Sequence, residues 1–133
     1  MLRRFAANAA SRSSIAAFSS RAAASRVNVV EKHSDYEALI ARPKGKTVVY
    51  FTAVWCGPCK MISPIYTHLS NAHEDITFAK VDVDDLDETA HAAGVRSMPT
   101  FHFYVDGKPQ PSLAFSGADP DLLQLNVNKL KTL

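Results

Sequence analysis

Two cysteines, separated by two residues, are the only sulfhydryl side chains in this chain of 133 residues. They lie in Trp55-Cys56-Gly57-Pro58-Cys59-Lys60, after the apolar run Val48 to Ala53 and before the helix-forming run Met61 to Asn71. A strand that hands over to a helix there sets both sulfurs at a helix beginning. Residues three apart share one helical face, so Cys59 returns beneath Cys56 within bonding reach and the pair can pass between dithiol and disulfide. Unpaired N–H groups of the first turn point at Cys56, and the positive end of the helix dipole favours its thiolate over its thiol. Cys56 is therefore expected to attack first. Cys59, one turn further in with its own N–H committed and its sulfur more shielded, is expected to attack second and release the substrate. Gly57 lets another backbone come close, and Pro58 falls in the first turn, where a missing N–H costs least.

Structural roles for the pair fit less well. A disulfide across so short a loop removes little unfolded-chain entropy. Structural zinc usually needs four ligands, and there is no second cysteine pair. The histidines (His33, His68, His73, His91 and His102) show no ligand spacing relative to the cysteines. Redox chemistry is the reading that the strand-to-helix context supports, with no bound metal or cofactor.

The length is that of one domain once a leader is set aside. The net charge of +2 hides a division, since residues 1–26 hold five of the fifteen basic residues and none of the thirteen acids. The remaining 107 residues carry ten basic side chains against thirteen acids, a net of −3. That balance argues against nucleic-acid binding, which needs a clustered basic face. No apolar stretch approaches a membrane span. Met1 to Arg26 is rich in Ala, Ser and Arg, and Arg3, Arg4, Phe5 and Ile15 can form a basic amphipathic helix. It lacks the continuous apolar centre of a secretory signal. It therefore reads as a mitochondrial presequence leading to the matrix, with a plastid transit peptide as the alternative, cleaved between Phe18 and Val27.

Taken in order, Val27 to Val30 is a short strand, and Ser34-Asp35-Tyr36-Glu37 has the form of a capping box opening a helix through Ala41. Arg42 to Lys46 is a turn. Thr47 to Ala53 is a β-branched and aromatic run with little alternation, as expected of a central strand covered on both faces. In the helix that follows, Pro64 removes an N–H and crowds the Lys60 carbonyl, so a bend is expected after the first turn. Thr77 to Val83 is a strand. The acids Asp82, Asp84, Asp85, Asp87 and Glu88 fail as a calcium loop, because Leu86 stands where an oxygen ligand is needed, and suit a helix opening that ends near Gly94. Thr100 to Val105 is a strand, Asp106-Gly107 a hairpin turn, and Leu113 to Ser116 the expected antiparallel partner, with Pro109 and Pro111 pointing to a longer, irregular connection. Gly117-Ala118 breaks the strand, Asp119 caps, Pro120 starts, and Leu122 to Leu130 makes the last helix. The order βαβαβαββα implies an α/β domain with a central mixed β-sheet flanked by helices on both faces.

Trp55 to Lys60 reads WCGPCK and resembles the active-site signature of the thioredoxins. Ser97-Met98-Pro99-Thr100 is similar to that family's second landmark, a cis-proline loop. The likeness runs from about Val27 to the C-terminus, and among thioredoxins it points to the organellar ones, of the plant o type. It implies the thioredoxin fold over residues 27–133 and a protein-disulfide reductase acting as an electron carrier, a monomer with no bound cofactor beyond its own dithiol.

The resemblance also implies roles for particular residues. Pro99 should follow a cis peptide bond and face the Cys56 sulfur, leaving the Met98 backbone free to pair with an extended substrate segment. Trp55, Gly57, Pro58, Met98, Gly117 and Ala118 would then line a shallow, mostly apolar groove. One position departs from the family. Thioredoxins typically hold a buried aspartate six residues before the attacking cysteine, assisting proton transfer at the resolving one, and here that residue is Tyr50. A phenol, with a reference pKa of about 10, is a poor base near neutrality. A water, Lys80, which matches a family lysine beside that aspartate, or unassisted deprotonation of Cys59 must serve instead. Pro58 in place of a histidine gives the Cys56 thiolate no added stabilisation, which favours reduction of partners. With no glycine-rich nucleotide fingerprint in the chain, electrons are expected from NADPH through a thioredoxin reductase, and disulfide-containing proteins such as peroxiredoxins are the expected targets. The competing readings are a disulfide isomerase or oxidase on the same fold, and a non-catalytic docking subunit.

Overall fold

A computed structural model describes residues 25–133. The segment up to residue 24, and with it nearly all of the expected presequence, lies outside the described residues. The elements are β1 (Val27–Val29), α1 (His33–Ile40), β2 (Lys46–Thr52), α2 (Gly57–Ala72), β3 (Ile76–Asp82), α3 (Asp87–Ala92), β4 (Thr100–Val105), β5 (Lys108–Pro109), β6 (Phe115–Ser116) and α4 (Pro120–Lys131). They form one mixed sheet in the order β1-β3-β2-β4-β5, with β6 also on β4. β3 runs parallel to β1 and β2, while β4 is antiparallel to β2, β5 and β6.

The central strand explains the layering. β2 is buried from Thr47 to Phe51 because both of its faces are covered. Val48 and Tyr50 point to one side, where Ile62, Tyr66 and Leu69 of α2 and Leu123, Val127 and Leu130 of α4 complete a core. Val49 and Phe51 point to the other side, towards Tyr36 of α1 and the flank of α3. The period of two along the strand thus feeds two cores from one run of apolar residues. The larger core is strongly aromatic: Tyr50 stacks on Phe101 at 5.0 Å between centroids, and Phe101 stacks on Phe115 at 5.0 Å.

Three expectations need correction. The capping box does not open α1. The Asp35 and Tyr36 amides already bond to the Lys32 carbonyl, at 3.1 and 3.2 Å, so Lys32 is the N-cap and Ser34 lies inside the helix. Leu113 is not in a strand. It is buried in a turn where its amide bonds to Gln110 and its carbonyl accepts from Asn126 Nδ2 at 2.7 Å, so the antiparallel partner of β4 is split into β5 and β6. Pro109 and Pro111 lack the N–H groups that a continuous edge strand would need. The ends also shift, since β3 begins at Ile76 and β2 stops at Thr52. α2 runs as a single helix through Pro64.

The Asp106-Gly107 turn follows the sequence closely. Both residues have positive φ, 52° and 81°, the backbone that a tight hairpin demands and that Asp-Gly supplies at least cost. Asp119 caps α4 by accepting from the Leu122 amide at 3.1 Å, and Pro120 follows in the first turn.

Candidate active site

β2 ends at Thr52, and the chain turns into α2 within four residues. Cys56 is the N-cap, with extended backbone (φ −83°, ψ 109°), and its Sγ accepts a hydrogen bond from the Cys59 amide at 3.2 Å. One orphan donor of the first turn is thereby spent on the first sulfur, the interaction that stabilises negative charge there once the bond is open. Cys56 and Cys59 form a disulfide, with Cα atoms 5.3 Å apart. Both residues are enclosed, 4% and 2% exposed, so burial separates the two sulfurs less than their position in the helix does. Gly57, Pro58 and Lys60 are exposed around them. Trp55 is 64% exposed, and its indole Nε1 donates to Asp84 Oδ2 at 2.7 Å.

The second loop arrives from across the sheet. The Met98–Pro99 peptide is cis, as the resemblance implied. Pro99 is buried and its carbonyl accepts from the Gly117 amide at 2.9 Å. Thr100 Oγ1 ties the same loop to the Ser97 carbonyl and to Ser116 Oγ. Met98 and Ala118 pack against the cluster that contains both cysteines. The Met98 amide and carbonyl take no part in the hydrogen bonds among the described residues. Gly117 has φ of 110°, which lets the chain turn away from Pro99 without a Cβ. The structure thus brings Met98, Pro99, Gly117 and Ala118 together, with Met98 and Ala118 against the core cluster that contains both cysteines, whereas Trp55 is held towards the Asp84 loop.

Tyr50 is fully buried beneath the cysteines. Its hydroxyl donates to the Cys59 carbonyl at 3.1 Å and lies 2.7 Å from Ser63 Oγ. The phenol therefore grips the first turns of α2 by backbone and hydroxyl and spends its proton on a carbonyl. Lys80 stands opposite Tyr50 in the β2–β3 register. It lines a cavity of about 280 Å³ together with Cys59, Lys60, Ser63 and Asp82. Ser63 is a polar residue at the site that the sequence argument did not name, and Asp82 and Asp84 were read there only as acids opening a helix, whereas Asp82 ends β3 and α3 starts at Asp87. The signal for Asp82 was present, since Lys80 and Asp82 are two apart on one strand and so share a face.

The chain matches the thioredoxin family model over residues 27–129. It belongs to the thioredoxin family. Among curated relatives, thioredoxin H-type of Chlamydomonas reinhardtii is 44% identical over 107 residues, covering 77% of this chain and 93% of that protein. Three solved thioredoxin-fold chains superpose over nearly their whole length. Mitochondrial thioredoxin 3 of Saccharomyces cerevisiae in its oxidised form gives a TM-score of 0.70 at 34% identity, covering 80% of this chain and 95% of its own. Oxidised thioredoxin O2 of Arabidopsis thaliana gives 0.71 at 31%, with the same coverage. A chain solved in work on thiol resolution of the yeast mitochondrial 1-Cys peroxiredoxin gives 0.72 at 33%, covering 83% of this chain and all of its own. As a thioredoxin with a Cys56–Cys59 disulfide, the protein is a thiol-disulfide oxidoreductase that reduces protein disulfides, using its own dithiol as the redox group. Among the described residues there is no group of three or more His, Cys, Asp or Glu able to hold a metal ion. No described helix is long and apolar enough to cross a membrane.

Proposed function

We propose that this thioredoxin reduces disulfides of organellar proteins, with Cys56 as the attacking sulfur and Cys59 as the resolving one. The hydrogen bond from the Cys59 amide to Cys56 Sγ carries the assignment, because it places the anion-stabilising helix beginning on the first sulfur. The Cys56 thiolate attacks a substrate disulfide and displaces one substrate thiolate. Cys59 then attacks the mixed disulfide at Cys56 Sγ, releasing the second substrate thiolate and closing the ring. Met98 offers its free backbone to an extended segment of the target, and Trp55, Gly57, Pro58, Pro99, Gly117 and Ala118 border that segment. Lys60 sits at the rim. Tyr50 holds the turn that carries Cys59, and Lys80 faces the cavity beside it.

Electrons reach the oxidised ring from NADPH through a thioredoxin reductase. Peroxiredoxins are among the targets, a reading supported by the neighbour from the 1-Cys peroxiredoxin work. Residues 1–26 act as a presequence directing the 27–133 domain to the mitochondrial matrix, with the plastid as the other destination. The basic, acid-free composition of that segment and the mitochondrial and plant neighbours support it. The domain works as a monomer.

The test is a trap. Residues 27–133 carrying Cys59→Ser are incubated with an extract of isolated mitochondria, and proteins retained as mixed disulfides are released with dithiothreitol and identified. Peroxiredoxins among the released proteins, with none held by the Cys56→Ser variant, support the reading. Equal capture by both variants overturns the order of attack.

A further inference from the structure

With Tyr50 committed to the Cys59 carbonyl and to Ser63, the strand beneath the cysteines offers no carboxylate to receive the proton that Cys59 must lose. A carboxylate on the neighbouring strand does line the same cavity as Cys59. We propose that Asp82 accepts the Cys59 proton across the cavity that Cys59, Ser63, Lys80 and Asp82 line, replacing a proton acceptor at position 50. The inference rests on the order of attack proposed above and is independent of the identity of the targets.

The geometry supports the assignment at three points. At about 280 Å³ the cavity has room for several water molecules, and its hydroxyl, ammonium and carboxylate groups provide the polar partners that such waters need. Asp82 is half-buried at the last position of β3, two residues beyond Lys80, so both side chains leave the strand on the side of Cys59. One oxygen, Oδ1, accepts from the Asp84 and Asp85 amides at 2.9 and 3.3 Å, which fixes the carboxylate, and Oδ2 has no hydrogen-bond partner among the described residues. The charged groups around it are Lys80 on its own strand, Lys60 at the head of α2, and Asp84 and Asp85 in the following turn. In the resolving step the Cys59 S–H proton passes through cavity water to Asp82. The Cys59 sulfur bonds to Cys56 Sγ as the Cys56–substrate S–S bond breaks, and the substrate sulfur leaves as a thiolate that takes a proton from solvent. Asp82 afterwards returns its proton to solvent.

The experiment uses 5,5′-dithiobis(2-nitrobenzoate) with the reduced protein in stopped flow, which needs neither a reductase nor a protein target. The first nitrothiobenzoate released reports Cys56, and the second reports attack by Cys59 on the mixed disulfide. Asp82→Asn is expected to leave the first release unchanged. It should slow the second by about 10- to 100-fold near neutral pH and make it rise steadily with hydroxide, the loss expected when a general base is removed. Asp82→Glu restores the second phase in part. Asparagine keeps an acceptor for the Asp84 and Asp85 amides, so the turn is retained. A second phase with the parent rate and pH profile in Asp82→Asn overturns the inference. Equal slowing of both phases, or failure of glutamate to restore the second, also overturns it, because the change would then be structural.

Discussion

Tyr66 and Tyr50 show how much one hydroxyl decides in this core. Tyr66, on α2, is fully buried, and its hydroxyl lies 3.0 Å from the Val48 carbonyl and 2.7 Å from the Ala79 carbonyl while accepting from the Ala79 amide at 3.1 Å. It therefore pins the helix to the β2–β3 seam, and burial pushes its own ionisation well above the usual phenol range. Tyr66→Phe leaves those backbone groups short of a partner without changing the ring packing, and should cost about 1–3 kcal/mol in urea unfolding. Tyr50→Phe loses the bonds to the Cys59 carbonyl and to Ser63 Oγ and should cost about 1–3 kcal/mol, leaving the pH profile of insulin reduction as it is. Tyr50→Asp is different, since it sets a carboxylate among Tyr66, Phe101 and the helix turn and introduces a titrating group next to Cys59. The pH profile should then move more than the KM for insulin. An unmoved profile would remove residue 50 from proton transfer altogether. None of this could be reached from the sequence beyond the departure itself, because what a buried phenol does depends on which carbonyl it meets.

At the scale of elements, local chemistry was legible wherever a local rule had no tertiary rival. Asp119-Pro120 reads as a helix start, and the Asp119 carboxylate accepts from the Leu122 amide. Asp119→Ala should therefore destabilise the protein by about 0.5–2 kcal/mol, and Asp119→Ser by a few tenths at most, measured by thermal or urea unfolding. Ser34-x-x-Glu37 shows the opposite case. The same pattern is present, but α1 is placed by His33, whose Nδ1 lies 2.8 Å from buried Thr89 Oγ1 and whose Nε2 lies 3.4 Å from Glu37, and by Tyr36, which packs edge-on against Phe51. Those contacts with α3 and β2 begin the helix before Ser34 can cap it. Leu113 misled for a related reason: its burial looks like that of a strand residue, but the demand comes from α4, whose Asn126 holds its carbonyl. The cysteine turn was legible because the motif residues are themselves the contacts, and the cis-proline loop only through its likeness to the family's landmark. The cavity beside Cys59 was not, since it is bounded by residues from β2, α2 and β3 that only the sheet register brings together.

For the molecule as a whole, the two faces of the sheet divide the labour. The face bearing α2 and α4 holds the disulfide, and the face bearing α1 and α3 carries a histidine held neutral. His102, on β4, packs edge-on to Phe51 at 5.1 Å, and burial pulls its protonation below the ordinary imidazole range. His73, at the end of α2, is lowered in the same sense by burial and then by Lys131, with Asp75 opposing. A histidine with a depressed folded pKa binds fewer protons in the native than in the unfolded state. Its contribution to stability is therefore whole above the unfolded value of about 6.5 and declines as pH falls through and below it. The urea midpoint of the oxidised protein should accordingly drop on acidification from neutrality, with the slope of unfolding against urea unchanged. His102→Gln should flatten that drop, leaving the part that belongs to His73. A variant with the same pH slope as the parent would show that His102 is as easily protonated folded as unfolded. Because His102 lies across the sheet from Cys56 and Cys59, His102→Gln should also keep the parent pH profile for insulin reduction at temperatures well below unfolding. Stability and redox chemistry would then respond to acid through separate groups on opposite faces of one sheet.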